Sequence, residues 1–182
     1  MRIGLTQMIL YHNGIACDSL EHGWYNLLSG HSIFALPNTL HQDFDPVADT
    51  LDSVIITGGT PHSFKKDTEL AIIEKMMQRG KPIVGVCNGA LLIAEMLGAT
   101  IQTIPNHNNV DHYVMYNSEA IKVNSHHGVG ITNMNERGEI LCLSDTGEVE
   151  AFVHNNLAGV MWNPQRMLKP WIPPEIAFLL RI

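Results

Sequence analysis

For the first half of the chain, short apolar runs alternate with segments whose apolar positions recur every three or four residues. Arg2–Thr6, Ser32–Leu36, Ser53–Thr57 and Pro82–Val86 are compact runs ended by polar, glycine or proline breaks, and they are expected to be strands. Between them, Asp18 is placed to cap a helix running through Trp24, Leu27 and Leu28 to Gly30. Asp67–Arg79 carries an apolar stripe at Leu70, Ile73, Met76 and Met77 and stops at Gly80, and Ala90–Leu97 is a further helix stopped by Gly98. Strands alternating with helices imply parallel pairing and a sheet covered on both faces.

After Gly98 the rhythm changes. Thr100–Ile104, Tyr113–Tyr116, Ala120–Val123, Ile140–Ser144, Val149–His154 and Leu157–Met161 are short strand patterns separated by polar turns, and Ile176–Leu180 suits a terminal helix. These strands are expected to pair antiparallel or in a mixed arrangement, either extending the same sheet or forming a side ribbon. The whole chain, 1–182, is expected to be one domain.

Composition narrows the chemistry. The charge sum of −7 and the lack of any basic run speak against nucleic acid or an anionic membrane surface as partner. No apolar stretch has the length of a membrane span, and the first residues lack the pattern of a signal peptide. Cys17, Cys87 and Cys142 are an odd number at wide spacing, which suits free thiols in a reducing cytoplasm rather than a disulfide framework. The ten histidines are scattered without HExxH or Cys/His spacing, so neither a metal nor any other cofactor is expected.

The most informative stretch is Gly85-Val86-Cys87-Asn88-Gly89, where a buried strand runs straight into a helix. Glycines two residues before and after a nucleophilic side chain mark a nucleophile elbow, a turn too tight for flanking Cβ atoms. The helix start behind Cys87 favours a thiolate through its dipole and free N–H groups. Thr57-Gly58-Gly59 ends the preceding strand, and the N–H groups of Gly59 and Asn88 are the candidate donors to an oxyanion. A buried inert cysteine and an ordinary diglycine turn are the plainer readings of the same residues.

With these segments in view, the chain resembles the class I glutamine amidotransferase and γ-glutamyl hydrolase family. Ile55-Ile56-Thr57-Gly58-Gly59 is similar to the family's oxyanion strand, and Gly85-Val86-Cys87-Asn88-Gly89 to its nucleophile motif. Val123-Asn124-Ser125-His126-His127 resembles the substrate-side Asn-Ser-aromatic-His segment, and Gly159-Val160-Met161-Trp162-Asn163-Pro164-Gln165-Arg166 the Gly-x-x-Trp-His-Pro-Glu-Arg segment. Asp18…Trp24 followed by Leu36-Pro37-Asn38 is similar to a bacterial branch linked to surface-polysaccharide modification, which implies cleavage of a γ-glutamyl group from a nucleotide amidate. The resemblance implies a flavodoxin-like three-layer α/β/α sandwich with a mostly parallel central sheet and added antiparallel strands in the C-terminal half. It also implies a small-molecule γ-glutamyl substrate lined by Gly58, Leu91, Asn124, Ser125 and His126. An ammonia-using synthetase or other acceptor enzyme would be a separate partner protein.

The family reaction uses a cysteine nucleophile, a histidine that carries protons and a glutamate that orients it. Here the histidine position holds Asn163 and the glutamate position Gln165. An amide has no proton affinity near neutral pH, so Asn163 cannot act as a general base. Asn88 and Leu91 replace the family's usual Arg and Gln. His127 is the nearest substitute base by this alignment, with His154 behind it, while His107 and His112 resemble a loop at the site's mouth. Two readings stand: a cysteine hydrolase that cleaves a γ-glutamyl amide through a Cys87 thioester, and a catalytically degenerate homologue that keeps the pocket in a binding or regulatory role. A third, the related chaperone and stress-protease fold, is opposed by the Trp162–Arg166 segment.

Overall fold

A computed structural model describes residues 1–39 and 42–182. Its strands are β1 (Arg2–Thr6), β2 (Met8–His12), β3 (Ile15–Ser19), β4 (Ser32–Leu36), β5 (Ser53–Ile56), β6 (Ile83–Val86), β7 (Thr100–Thr103), β8 (Asn108–Tyr116), β9 (Glu119–His126), β10 (Val129–Asn133), β11 (Glu139–Ser144), β12 (Val149–His154) and β13 (Leu157–Val160). Its α-helices are α1 (Gly23–Leu27), α2 (Asp45–Thr50), α3 (Ser63–Gln78), α4 (Asn88–Met96) and α5 (Pro174–Leu180).

The main sheet runs β4-β1-β5-β6-β13-β12-β11-β8-β9. Pairing is parallel from β4 to β13 and antiparallel from β13 onward. The antiparallel half therefore extends the same sheet, with β10 bridging β12 and β7 at its side. Alternation along the parallel strands divides the core into two layers. Val54, Ile56 and Ile83 pack with Ile72, Ile73 and Met76 of α3 and Ala90, Ile93 and Ala94 of α4. Ile3, Leu5, Ile55, Val84 and Val86 pack on the opposite face with Trp24, Leu28, Ile176 and Leu180. The result is the expected three-layer α/β/α sandwich.

Several expectations need correction. Asp18 does not cap α1. It lies in β3, and its carboxylate accepts from Asn38 N (2.9 Å) and Asn38 Nδ2 (2.6 Å). β2 and β3 form a separate hairpin closed by Asn13 (φ 50°) and Gly14 (φ 79°). Two consecutive left-handed residues are what a two-residue type I′ turn requires, and Asn-Gly is its strongest sequence signal. α3 starts at Ser63, four residues before Asp67, because the His62 side chain accepts from Phe64 N and caps it. The short α2, with Pro46 in its first turn, has no counterpart among the expected elements. Tyr113–Tyr116 is only the end of the longer β8.

Candidate active site

Three parallel strands deliver their carboxyl ends to one crevice, the usual ligand position in an open α/β sheet. β5 runs into Thr57-Gly58-Gly59, β6 into Cys87, and β13 leads through Met161 and Trp162 to Asn163. Cys87 sits at φ 53°, ψ −112° and caps α4, a strained conformation for a non-glycine residue. The turn depends on its flanking glycines. A Cβ on Gly85 would lie 2.4 Å from Gly89 O, and one on Gly89 would lie 2.0 Å from Ile56 O.

The cleft above Cys87 has a volume of about 380 Å³ and is lined by Gly59, Asn88, Leu91, His126, His127 and Arg166 among others. Asn88 opens α4, so its N–H has no intrahelical acceptor, and it stabilises charge on the Cys87 sulfur. Gly59 (φ 116°) lies across the cleft with the Met8 side chain packed against it. Gly58 is closer still, since a Cβ there would stand 3.1 Å from Cys87 Cβ and 3.4 Å from Asn163 Oδ1.

Asn163 is held firmly. Its N–H donates to Asn124 Oδ1 (2.8 Å), and its carbonyl accepts from Asn124 Nδ2 (2.9 Å). Its side-chain Oδ1 accepts from Gln165 Nε2 (3.2 Å), which also donates to Glu21 Oε2 (2.9 Å). Asn163 Nδ2 is buried without a hydrogen-bond partner among the described residues. It is free to donate to the neighbouring sulfur once that ionises. Glu21 also pairs with Arg166. Burial pushes the Glu21 carboxyl up, but the Arg166 and Gln165 hydrogen bonds outweigh it and leave the carboxyl below its ordinary range. The chain Cys87–Asn163–Gln165–Glu21 thus traces a triad-like line with amides in the middle and a carboxylate at its far end.

Burial raises the Cys87 thiol above its ordinary value of 9.0, opposed by hydrogen bonding from Asn163 and Asn88 and by the Arg166 charge. A raised thiol pKa leaves less thiolate at neutral pH. Alkylation of Cys87 by iodoacetamide, followed by intact mass, is therefore expected to keep accelerating past pH 9. A rate already level at pH 7 would contradict that.

Of the residues proposed from sequence to bind substrate, Leu91 and His126 line the cleft. Asn124 clamps Asn163, and Ser125 is fully buried and donates to His107 O, so these two support the site from behind. His127 also lines the cleft, but its Nδ1 is bonded to Val129 O (3.0 Å) and its Nε2 faces Glu150 (3.8 Å). Neither nitrogen serves Cys87. Burial lowers the His127 pKa. His154 pairs with Leu157, whose parallel neighbour is Ile83 at the start of β6. That is the end of the sheet opposite Cys87, which removes His154 as a base.

Sequence reasoning missed Glu21, which lies in a loop with no motif around it. It also missed the support beneath the diglycine. Lys65 and Glu69, each 1% exposed, form an ion pair inside the protein. Lys65 Nζ donates to Thr57 O (3.0 Å), and Thr6 Oγ1 donates to Glu69 Oε1 (2.8 Å) while accepting from Thr57 N (2.9 Å). Burial pushes the Glu69 carboxyl up despite the opposing Lys65 charge.

The model of the class I glutamine amidotransferase domain matches residues 18–166. The chain belongs to the class I glutamine amidotransferase family. A γ-glutamyl-CDP-amidate hydrolase of Campylobacter jejuni is 30% identical over 195 aligned positions, covering 94% of this chain and 97% of that protein. Among solved structures, a Thermoplasma acidophilum protein provisionally assigned as part of a GMP synthase is similar at TM-score 0.75 and 21% identity, covering 99% of this chain and 92% of that one. A Thermotoga maritima glutamine amidotransferase matches at TM-score 0.68 and 16% identity, covering 90% and 76% of the two chains. These structural likenesses support the flavodoxin-like fold of this family member. No helix among the described residues is long and apolar enough to cross a membrane.

Proposed function

We propose that this family member is a cysteine hydrolase that cleaves a γ-glutamyl amide through a Cys87 thioester. The observation that carries the reading is the strained Cys87 conformation, kept at a glycine-dependent turn that opens on a cleft. Strain of that kind persists where surrounding structure enforces it, and it is concentrated at functional sites.

In this reading the Cys87 thiol gives up its proton to water, and the thiolate attacks the γ-carbonyl. The oxyanion forms against the N–H groups of Gly59 and Asn88. The C–N bond then breaks, and the departing amine takes a proton from solvent. Water next attacks the thioester, releasing glutamate and returning the thiol. Asn163 Nδ2 and Arg166 stabilise negative charge near sulfur but move no proton. With Leu91 where the family usually has a polar side chain, a γ-glutamyl conjugate is favoured over glutamine itself. The likeness to the Campylobacter enzyme supports a γ-glutamyl nucleotide amidate as that conjugate. The free amine product would pass to a separate acceptor enzyme, and a reducing cytoplasm would keep Cys87 as a thiol.

Incubation with a γ-glutamyl chloroketone and with γ-glutamyl conjugates tests the reading by intact mass and glutamate release. Stoichiometric labelling and turnover are expected, both lost in Cys87→Ser. A specific observation favours a second reading: the thiol is buried and its pKa raised, and both amide positions lack proton affinity. A binding or regulatory protein would take up a conjugate without releasing glutamate and without labelling at any pH from 6 to 9, and that result would displace the hydrolase.

A further inference from the structure

Behind the wall of the cleft, three histidines converge on one carboxylate. His107 precedes β8, His112 lies in β8, His127 follows β9 and Glu150 lies on β12. Glu150 Oε1 is 3.7 Å from His107 Nε2 and 3.8 Å from His127 Nε2, and Glu150 Oε2 is 3.6 Å from His112 Nε2. The side chains of His107, His127 and Glu150 are 5%, 4% and 1% exposed, and that of His112 is 10% exposed. Among the described residues, none of these five facing atoms has a hydrogen-bond partner.

The tautomers sharpen the point. His107 Nδ1 is bonded to Pro105 O (2.9 Å) and His127 Nδ1 to Val129 O (3.0 Å). A carbonyl only accepts, so Nδ1 carries a proton in both rings, and in the neutral form of each ring Nε2 turns a lone pair towards Glu150. In that form acceptors face an acceptor in a buried space, an arrangement that costs free energy unless something positive lies between them. The separations are too long for hydrogen bonds. Each histidine-to-Glu150 separation is close to the roughly 3.4 Å between two ligands of a tetrahedral ion with bonds of about 2.1 Å. A histidine whose far nitrogen donates to a backbone carbonyl is also the usual form of a metal-binding histidine.

We propose that His107, His112 and Glu150, whose ligand atoms all lie within 4.8 Å of one another, bind one divalent transition-metal ion, with His127 joining from its side of Glu150 as the fourth ligand and zinc the best match to three imidazoles and a carboxylate. With four protein ligands the site is closed and structural. It ties β8, the turn between β9 and β10, and β12 into one unit. The same turn carries His127 and Gly128, which line the cleft together with His126 at the end of β9. His127 is thereby a ligand rather than a base. The sequence hides the site because its ligands are spread from 107 to 150 without a spacing motif.

The test uses untagged full-length protein. Elemental analysis is expected to find close to one zinc, or another divalent transition ion, per chain. Stripping with dipicolinate should lower Tm by roughly 10 °C, the shift expected for an ion held about a thousandfold above its Kd in a chain of this size, and Zn²⁺ should restore it. Co²⁺ added to the stripped protein should give the visible bands of a tetrahedral nitrogen–oxygen site without thiolate charge transfer. His112→Gln, the most accessible ligand, should weaken Co²⁺ binding at least about 100-fold. Protein that is isolated without metal and takes up neither Zn²⁺ nor Co²⁺ would overturn the proposal in favour of a protonated histidine cluster. Thiolate charge transfer that disappears in Cys87→Ser would overturn it by placing the ion on sulfur.

Discussion

Asn163→His, Gln165→Glu and Glu21→Gln together are expected to raise γ-glutamyl amide hydrolysis about 100-fold or more, the contribution of one positioned general base. Asn163 is already fixed by its two hydrogen bonds to Asn124, and its side chain stands beside the Cys87 sulfur. An imidazole at 163 starts from a backbone that aims it at the thiol, and a carboxylate at 165 orients it. The third change follows from the structure alone. Gln165 Nε2 lies 2.9 Å from Glu21 Oε2, so Gln165→Glu by itself would put two carboxylates in contact. Such a pair shares a proton, and the orienting charge is weakened. The double variant without Glu21→Gln should therefore gain less than the triple. Steady-state glutamate release measures both. A triple variant with an alkylatable Cys87 but no gain would show that a missing base is not the defect, and Leu91 would be the next position to change.

Lys65→Met is expected to destabilise the fold by about 3–5 kcal/mol, because it strands the Glu69 charge in the interior. Urea unfolding measures the loss. Thr57 and the diglycine rest on this pair, so the variant should also lower the rate of Cys87 labelling. The loss depends on pH. The folded Glu69 carboxyl is raised above its ordinary value of 4.5, so above 4.5 the folded state holds a proton that the unfolded chain has released. Stability then falls as pH rises through that interval, and the variant should be firmer at pH 5.5 than at pH 8. Lys65→Met with Glu69→Leu removes both charges and should recover much of the loss. A single-variant cost below about 1 kcal/mol, the range of an exposed pair, would contradict a buried one.

The sequence alone determined the first four strands of the parallel half of the sheet, the elbow and the family, because each is written in local signals, whereas the parallel pairing of β13 with β6 came from the tertiary structure. Hydrophobic period marks β1, β4, β5 and β6, and glycines at 85 and 89 surround Cys87. The hairpin β2–β3 also carries a local signal, the Asn13-Gly14 turn, while Asp18, a helix-capping residue type, sits in β3. Tertiary structure decided everything that depends on residues distant in the chain. It set Glu21 against Gln165, 144 positions away, and Lys65 and Glu69 beneath Thr57. It turned His127 from Cys87 towards Glu150 and gathered three scattered histidines around one carboxylate. Period and motif report which face of an element is buried. They carry no information about which buried polar groups meet, because that depends on strand order and register across the sheet.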